Sequence, residues 1–129
     1  MKPWLKSVIR WTPRVLALLF AIFLSLFALD VFGEGYSAWE TVLALLIHLI
    51  PTYLVLIALA LGWWRAWTGA LAFAGLSVWY IIMAWGDVDP LAFLLIAGPP
   101  LLIAILFLIT WLTRDVETEP AEAKQHAAA

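Results

Sequence analysis

The sequence predicts an all-α protein, a four-helix transmembrane bundle with up-down-up-down topology. Of its 129 residues, 66% are hydrophobic and only 12% are charged, whereas charged residues make up about a quarter of an average soluble domain. We therefore expect the lipid bilayer to be the environment and the main partner of this chain. Its apolar residues fall in runs close to the ~20 residues that cross ~30 Å of hydrocarbon. The runs cover about 15–32, 41–61, 66–85 and 91–112, within one domain of residues 15–112.

All seven basic residues lie on one side of this pattern of runs. They precede the first run, separate the second from the third, or follow the fourth: Lys2, Lys6, Arg10, Arg14, Arg65, Arg114 and Lys124. The two other connections carry acidic charges only, at Glu34, Glu40, Asp87 and Asp89. Because cytoplasmic loops are enriched in Lys and Arg, we expect a multi-pass protein of the cell membrane with both termini in the cytoplasm (N-in/C-in).

The first run follows a basic flank of residues 1–14. Trp4, Leu5 and Val8 lie there among basic residues. The flank is either an amphipathic segment on the inner membrane surface or the solvated, positively charged end of the first span, and both interpretations stay open. Pro13 is expected in the first turn of the span. The stretch 30–35 after the run has no small-x-small cleavage site, which predicts an uncleaved helix rather than a signal peptide.

Capping residues delimit the second and fourth spans. Ser37 and Glu40 have the spacing of a capping box, which predicts that the second helix begins a turn before its apolar run. Asp89 and Pro90 fit the cap and first turn of the fourth helix. The short connections predict antiparallel neighbours. After the fourth run the chain becomes polar and rich in Ala, which predicts a disordered cytoplasmic tail at 113–129.

A stripe of small residues marks the third span, with Ala66, Ala70 and Ala74 at four-residue spacing. Small residues allow helix backbones to approach closely in lipid. The stripe either packs inside the monomer, which we favour, or forms the seam of a homo-oligomer.

Polar groups at membrane depth are costly, so each one is a candidate functional residue. His48 comes first, because it lies ~10 Å below the predicted outer boundary of the second span. Thr52 shares its helix face. Pro51 removes the hydrogen bond to the Ile47 carbonyl and predicts a kink beside the imidazole. The more common role of such a histidine is a hydrogen bond across helices that holds them together.

Two further residues extend this candidate intramembrane polar site. Asp30 lies roughly 6 Å shallower than His48, and Tyr80 of the third span lies between the two depths. Asp30 is either a partner of His48 or a solvated carboxylate at the outer interface. Pro99 and Pro100 predict a break in the fourth helix at ~12 Å depth. Broken helices line sites in transporters, but they are also tolerated as simple kinks, and both readings stay open.

Several classes of protein are disfavoured. The chain has no cysteine, so no disulfide or thiolate chemistry is available. A second intramembrane histidine is lacking, so we expect neither a haem nor a metal site, and no cofactor. Phosphate-binding loops, nucleophile motifs and paired intramembrane carboxylates are lacking too, so we expect no enzyme. The basic residues form no cluster of the kind that binds nucleic acid.

Three segments resemble a known family: Phe27-Ala28-Leu29-Asp30-Val31-Phe32, His48-Leu49-Ile50-Pro51-Thr52 and Pro90-Leu91. They are similar to those of small four-helix membrane proteins from prokaryotes that are known only as a domain of unknown function. The resemblance covers roughly residues 10–110. It implies a bundle of four spans and brings with it no activity, cofactor or partner.

The functional hypothesis favoured at this level is a non-enzymatic membrane subunit that associates with itself or joins a larger complex. Its motivation is the small size of the bundle and the Ala66/Ala70/Ala74 stripe as a contact surface. The alternative is a small transporter or channel protomer with an outward-facing polar pocket around Asp30 and His48, where the histidine would couple transport to protons. A third hypothesis, a lipid- or hydrophobe-binding protein with kinked second and fourth spans, has no specific support in the sequence.

Overall fold

The computed structural model describes residues 2–128, and for 115–124 it describes the backbone only. This part of the chain is all helical and contains no strand. A short 3₁₀ helix, Phe27–Gly33, continues the first α-helix. The α-helices are α1 (Pro3–Leu26), α2 (Ala38–His48), α3 (Ile50–Trp64), α4 (Ala66–Ala84) and α5 (Pro90–Ala128).

Three helical segments of the described chain are long and apolar enough to cross a bilayer: Pro3–Gly33, Ala66–Ala84 and Pro90–Arg114. Helices α2 and α3 meet at an angle of 43°. They are long and apolar enough to cross a bilayer only when the two are counted as one segment. The number of candidate spans is thus three, or four if the bent pair counts as one. This finding indicates a membrane protein.

The first helix begins earlier than the sequence predicts, at Pro3 instead of near residue 15. The basic flank and the first span are therefore one helix, and Pro13 lies inside it rather than in its first turn. Proline within a helix leaves the carbonyl four residues earlier without its N–H partner. Here that carbonyl belongs to Ile9, and it lies 3.0 Å from the Thr110 hydroxyl of α5, whose one proton is shared between the Ile9 carbonyl and the Leu106 carbonyl at 2.9 Å. This contact explains why the helix tolerates Pro13.

The long helices pack in a closed ring, in which α1 contacts α3 and α5, and α4 also contacts α3 and α5. Stacked rings of Phe73 and Phe107 lie at its centre, with centroids 5.8 Å apart and with 0% and 1% of the side chains exposed. Ala66, Ala70 and Ala74 are partly buried against the same core. The stripe predicted on the third span therefore packs, in part, within the chain.

Helices α3 and α4 approach each other closely at two glycines. An ideal Cβ atom built on Gly69 would lie 2.5 Å from the Cα atom of Gly62. A Cβ atom on Gly62 would lie 2.6 Å from the ring of Phe107. Only glycine fits at these two positions without a shift of the helices. Gly75 lies on the same helix as Gly69 but faces open space.

Helix α5 runs through Pro99 and Pro100 without interruption. The expected break at these prolines does not occur, which corrects the sequence-based expectation. Two adjacent prolines remove two hydrogen bonds only, and the helix is supported here by packing against α1 and α4. The buried Ser77 of α4 adds a hydrogen bond of 2.8 Å to the Ala97 carbonyl. The backbone of residues 113–128, where the sequence predicts a disordered tail, continues helix α5 in the structure.

Candidate functional site

The bend between α2 and α3 lies at Leu49, whose backbone N–H is shared by the Leu45 and Ile47 carbonyls. Pro51 follows in the first turn of α3 and cannot donate to the Ile47 carbonyl. The residue before a proline is also disfavoured in helical geometry. These local constraints account for the change of direction of 43°.

A cavity of about 460 Å³ lies beside this bend. Its walls come from every long helix, and all but three of the lining side chains lack a polar group. The lining residues are Leu24, Phe27, Ile47, His48, Pro51, Leu54, Val55, Leu76, Trp79, Tyr80, Ile96 and Pro100. Of the three polar groups, those of His48 and Tyr80 can accept a hydrogen bond from a ligand, whereas the Trp79 indole can only donate one.

His48 makes its hydrogen bond within its own helix. Its Nδ1 atom lies 2.8 Å from the Ala44 carbonyl oxygen. Because a carbonyl only accepts, Nδ1 carries the proton, and Nε2 of the neutral ring is left as an acceptor. The side chain makes no hydrogen bond to another helix within the described residues. The role expected from the sequence for such a histidine, a bond across helices, is not observed.

Tyr80 reaches the same cavity from α4. Its ring is half-buried and lies 6.0 Å, centroid to centroid, from the Phe93 ring of α5. Its hydroxyl has no hydrogen-bond partner among the described residues. The neighbouring Trp79, which the sequence places well inside a span, is 54% exposed. The cavity thus holds one free acceptor on His48 and one hydroxyl on Tyr80 that both donates and accepts.

Asp30 and Thr52 do not contribute to this cavity. Asp30 is exposed on the 3₁₀ helix and makes no ion pair or hydrogen bond with a described residue. Thr52 is 6% exposed, and its hydroxyl lies 3.3 Å from that of Ser25. Ser25 donates its own proton to the Ala21 carbonyl at 2.8 Å, so Thr52 is the donor in this pair. Thr52 therefore links α3 to α1.

The prolines of α5 are divided between two cavities. Pro100 lines the cavity beside His48, whereas Pro99 lines a smaller one of about 300 Å³ between α1 and α5. The structure thus brings His48, Tyr80, Pro51 and Pro100 together and leaves Asp30, Thr52 and Pro99 elsewhere.

Sequence reasoning missed most of the cavity wall. Leu24, Phe27, Leu76 and Ile96 line it, but nothing in the sequence distinguishes them from the other apolar residues of their spans. Ser77 was also missed, although a hydroxyl in the middle of a span is a visible signal for a hydrogen bond across helices.

Comparison with known proteins gives one match. The model of a family described as "Domain of unknown function (DUF7670)" matches residues 1–119. No curated protein and no solved structure is significantly similar to the chain.

Proposed function

We propose that this chain, which belongs to that domain family, binds a single-chain lipophile with one hydroxyl or carboxylic acid group. The observation that carries the proposal is the cavity beside His48. Its volume of about 460 Å³ falls within the ~300–1,000 Å³ of typical ligand pockets, which are mainly apolar with a few placed polar groups. An alkyl or isoprenoid chain fits such walls, and one polar group fits the two hydrogen-bonding side chains.

The polar end of the ligand follows from the two side chains. In the neutral ring, Nε2 of His48 accepts a hydrogen bond, so it selects a ligand that donates one, such as an alcohol or a protonated acid. The Tyr80 hydroxyl then donates to the oxygen of the same group. None of the described residues that line the cavity is an Asp, Glu, Lys or Arg. The ligand is therefore expected to be neutral when bound.

The proposed setting is a bundle of four spans in the cell membrane, with both termini in the cytoplasm. The bent α2–α3 pair would form one span, and the separation of basic from acidic connections supports the orientation. Because the chain has no cysteine, a cysteine introduced at Ser7 or at Asp87 would be the only thiol. We expect a membrane-impermeant maleimide added to intact cells to label Asp87→Cys and not Ser7→Cys.

Two other functions have less support. Transport through a polar pocket around Asp30 and His48 would require the carboxylate in the cavity, and Asp30 is not among its lining residues. Association into a larger complex or a homo-oligomer would use the Ala66/Ala70/Ala74 stripe as a contact surface. Those alanines already pack, in part, against the core of their own chain. No specific observation favours either function over lipophile binding.

A bulky substitution in the cavity wall tests the proposal. Leu76 of α4 lines the cavity, whereas Leu71 of the same helix is 64% exposed and lines none of the cavities described. We compare Leu76→Trp with Leu71→Trp after extraction from native membranes in a mild detergent, using native mass spectrometry of the retained small molecules. The expected result is a lipophile retained by the wild-type protein and Leu71→Trp and lost from Leu76→Trp. Equal retention by both variants, or retention of nothing by the wild-type protein, would refute the proposal.

A further inference from the structure

A second cavity, of about 400 Å³, lies at the opposite end of α1 and is strongly basic. Lys6, Arg10 and Arg114 line it, together with the hydroxyl groups of Ser7 and Thr113. None of its described lining residues is acidic. Arg10 and Arg114 make no ion pair with a described residue. The two guanidinium groups of Arg10 and Arg114 share one cavity whose described lining residues include no carboxylate, and such a pair forms a site for an anion.

The cavity lies between two helix faces, and its basic lining residues are exposed. Lys6 and Arg10 are four residues apart on α1, and Thr110, Thr113 and Arg114 share one face of α5. The two faces pack against each other, and the Thr110 hydroxyl lies 3.0 Å from the Ile9 carbonyl and 2.9 Å from the Leu106 carbonyl.

The position of the cavity indicates where the anion comes from. Arg114 is the last residue of the candidate span Pro90–Arg114, and the first candidate span begins at Pro3. If both segments cross a bilayer, these ends would lie near the level of its headgroups. Basic pockets between transmembrane helices on the cytoplasmic side are known to hold phosphate-containing headgroups.

We propose that this cavity binds the phosphodiester group of an anionic phospholipid. Arg10 and Arg114 donate hydrogen bonds to the phosphate oxygens, because the planar guanidinium matches their geometry, and the hydroxyl group of Ser7 supplies a further donor. The site is separate from the cavity beside His48 and does not depend on its ligand. Only its assignment to the cytoplasmic leaflet uses the proposed orientation.

The test uses the purified full chain and native mass spectrometry. Phosphatidylglycerol is titrated against the wild-type protein, against Arg10→Gln/Arg114→Gln and against the control Arg65→Gln. Arg65 lies in the α3–α4 connection and does not line the cavity. A basic residue near an anionic headgroup contributes roughly fivefold in affinity, so the double variant is expected to bind about 30-fold more weakly. Arg65→Gln should stay within about twofold of the wild-type protein. Arg10→Lys/Arg114→Lys keeps both charges and loses the planar guanidinium groups, so its affinity should lie between those of the wild-type protein and the double glutamine variant.

Each other outcome would overturn the proposal. Equal binding by the wild-type protein and the double glutamine variant would show that the cavity is not the site. An equal loss in Arg65→Gln would show general electrostatic attraction instead of a defined site. Binding of phosphatidylcholine as tightly as phosphatidylglycerol would show that negative charge is not recognised. Displacement of the lipid by millimolar inorganic phosphate would assign the site to a free anion. If the double variant does not fold, the single glutamine variants are compared, each expected to bind about fivefold more weakly.

Discussion

The contact between α3 and α4 predicts that Gly69→Ala destabilises the protein. The new Cβ atom would lie 2.5 Å from the Gly62 Cα atom and 3.2 Å from the Phe107 ring. Non-bonded carbon atoms prefer about 3.5–4.0 Å, so the two helices would have to separate by roughly 1 Å. One of the opposing atoms belongs to the backbone and the others to a buried ring, so neither moves easily. Overpacking of this kind typically costs about 1–3 kcal/mol.

Gly75→Ala is the matched control for this prediction. Gly75 lies in the same helix and has nothing within 4 Å of an added Cβ atom. Replacing glycine by alanine within a helix is favourable by roughly 0.5–1 kcal/mol when nothing clashes. That gain applies to both variants, so the difference between them isolates the contact.

The measurement is the free energy of unfolding in mixed detergent micelles, followed by circular dichroism as sodium dodecyl sulfate is added. We expect Gly69→Ala to be about 1–3 kcal/mol less stable than Gly75→Ala. Equal stability of the two variants would refute the close approach of α3 and α4 at these glycines.

Two further predictions concern hydrogen bonds. His48→Phe and Tyr80→Phe should each weaken binding of hexadecanol by about fivefold, since a hydrogen bond contributes about 1 kcal/mol net. Hexadecane lacks the hydroxyl group, so it should bind equally to the wild-type protein and to both variants. If the variants bind hexadecanol like the wild-type protein, the polar group does not lie between these side chains. Thr110→Val should cost about 1–3 kcal/mol because the Ile9 carbonyl loses the hydroxyl group that it shares with the Leu106 carbonyl. Thr113→Val, whose hydroxyl bonds only to its own helix, is the control, and an equal loss of stability in both would contradict this assignment.

Features encoded by neighbouring residues were predictable. The capping box is confirmed, since the Glu40 carboxylate accepts from the Ser37 N–H at 3.0 Å and the Ser37 hydroxyl accepts from the Glu40 N–H at 3.4 Å. Helix α5, which corresponds to the predicted fourth span, begins at Pro90. The Asp89 carboxylate accepts a hydrogen bond from the Leu91 N–H. Both features depend on the spacing of residues that are close together in the chain, and this spacing can be read from the sequence.

Features that depend on how helices rotate against each other were not predictable. In apolar spans nearly every face is hydrophobic, so periodicity does not show which residues turn inward. Depths that differ by only roughly 6 Å made a contact between Asp30 and His48 one of two open readings, but depth along a helix leaves the rotation of the helix undetermined. The continuity of α5 through Pro99 and Pro100 was also not predictable, because it depends on the neighbouring helices that pack against this part of α5.

The central claim, that the cavity beside His48 holds a single-chain lipophile, is tested most directly by photolabelling. The wild-type protein in liposomes is exposed to hexadecanol that carries a diazirine near the end of its chain, and labelled peptides are mapped by mass spectrometry. The account predicts labels concentrated at Leu24, Leu76 and Ile96, on three different helices around one cavity, and competed by unlabelled hexadecanol. Labels spread over outward-facing residues such as Leu71 and Ile82, with no competition, would contradict it.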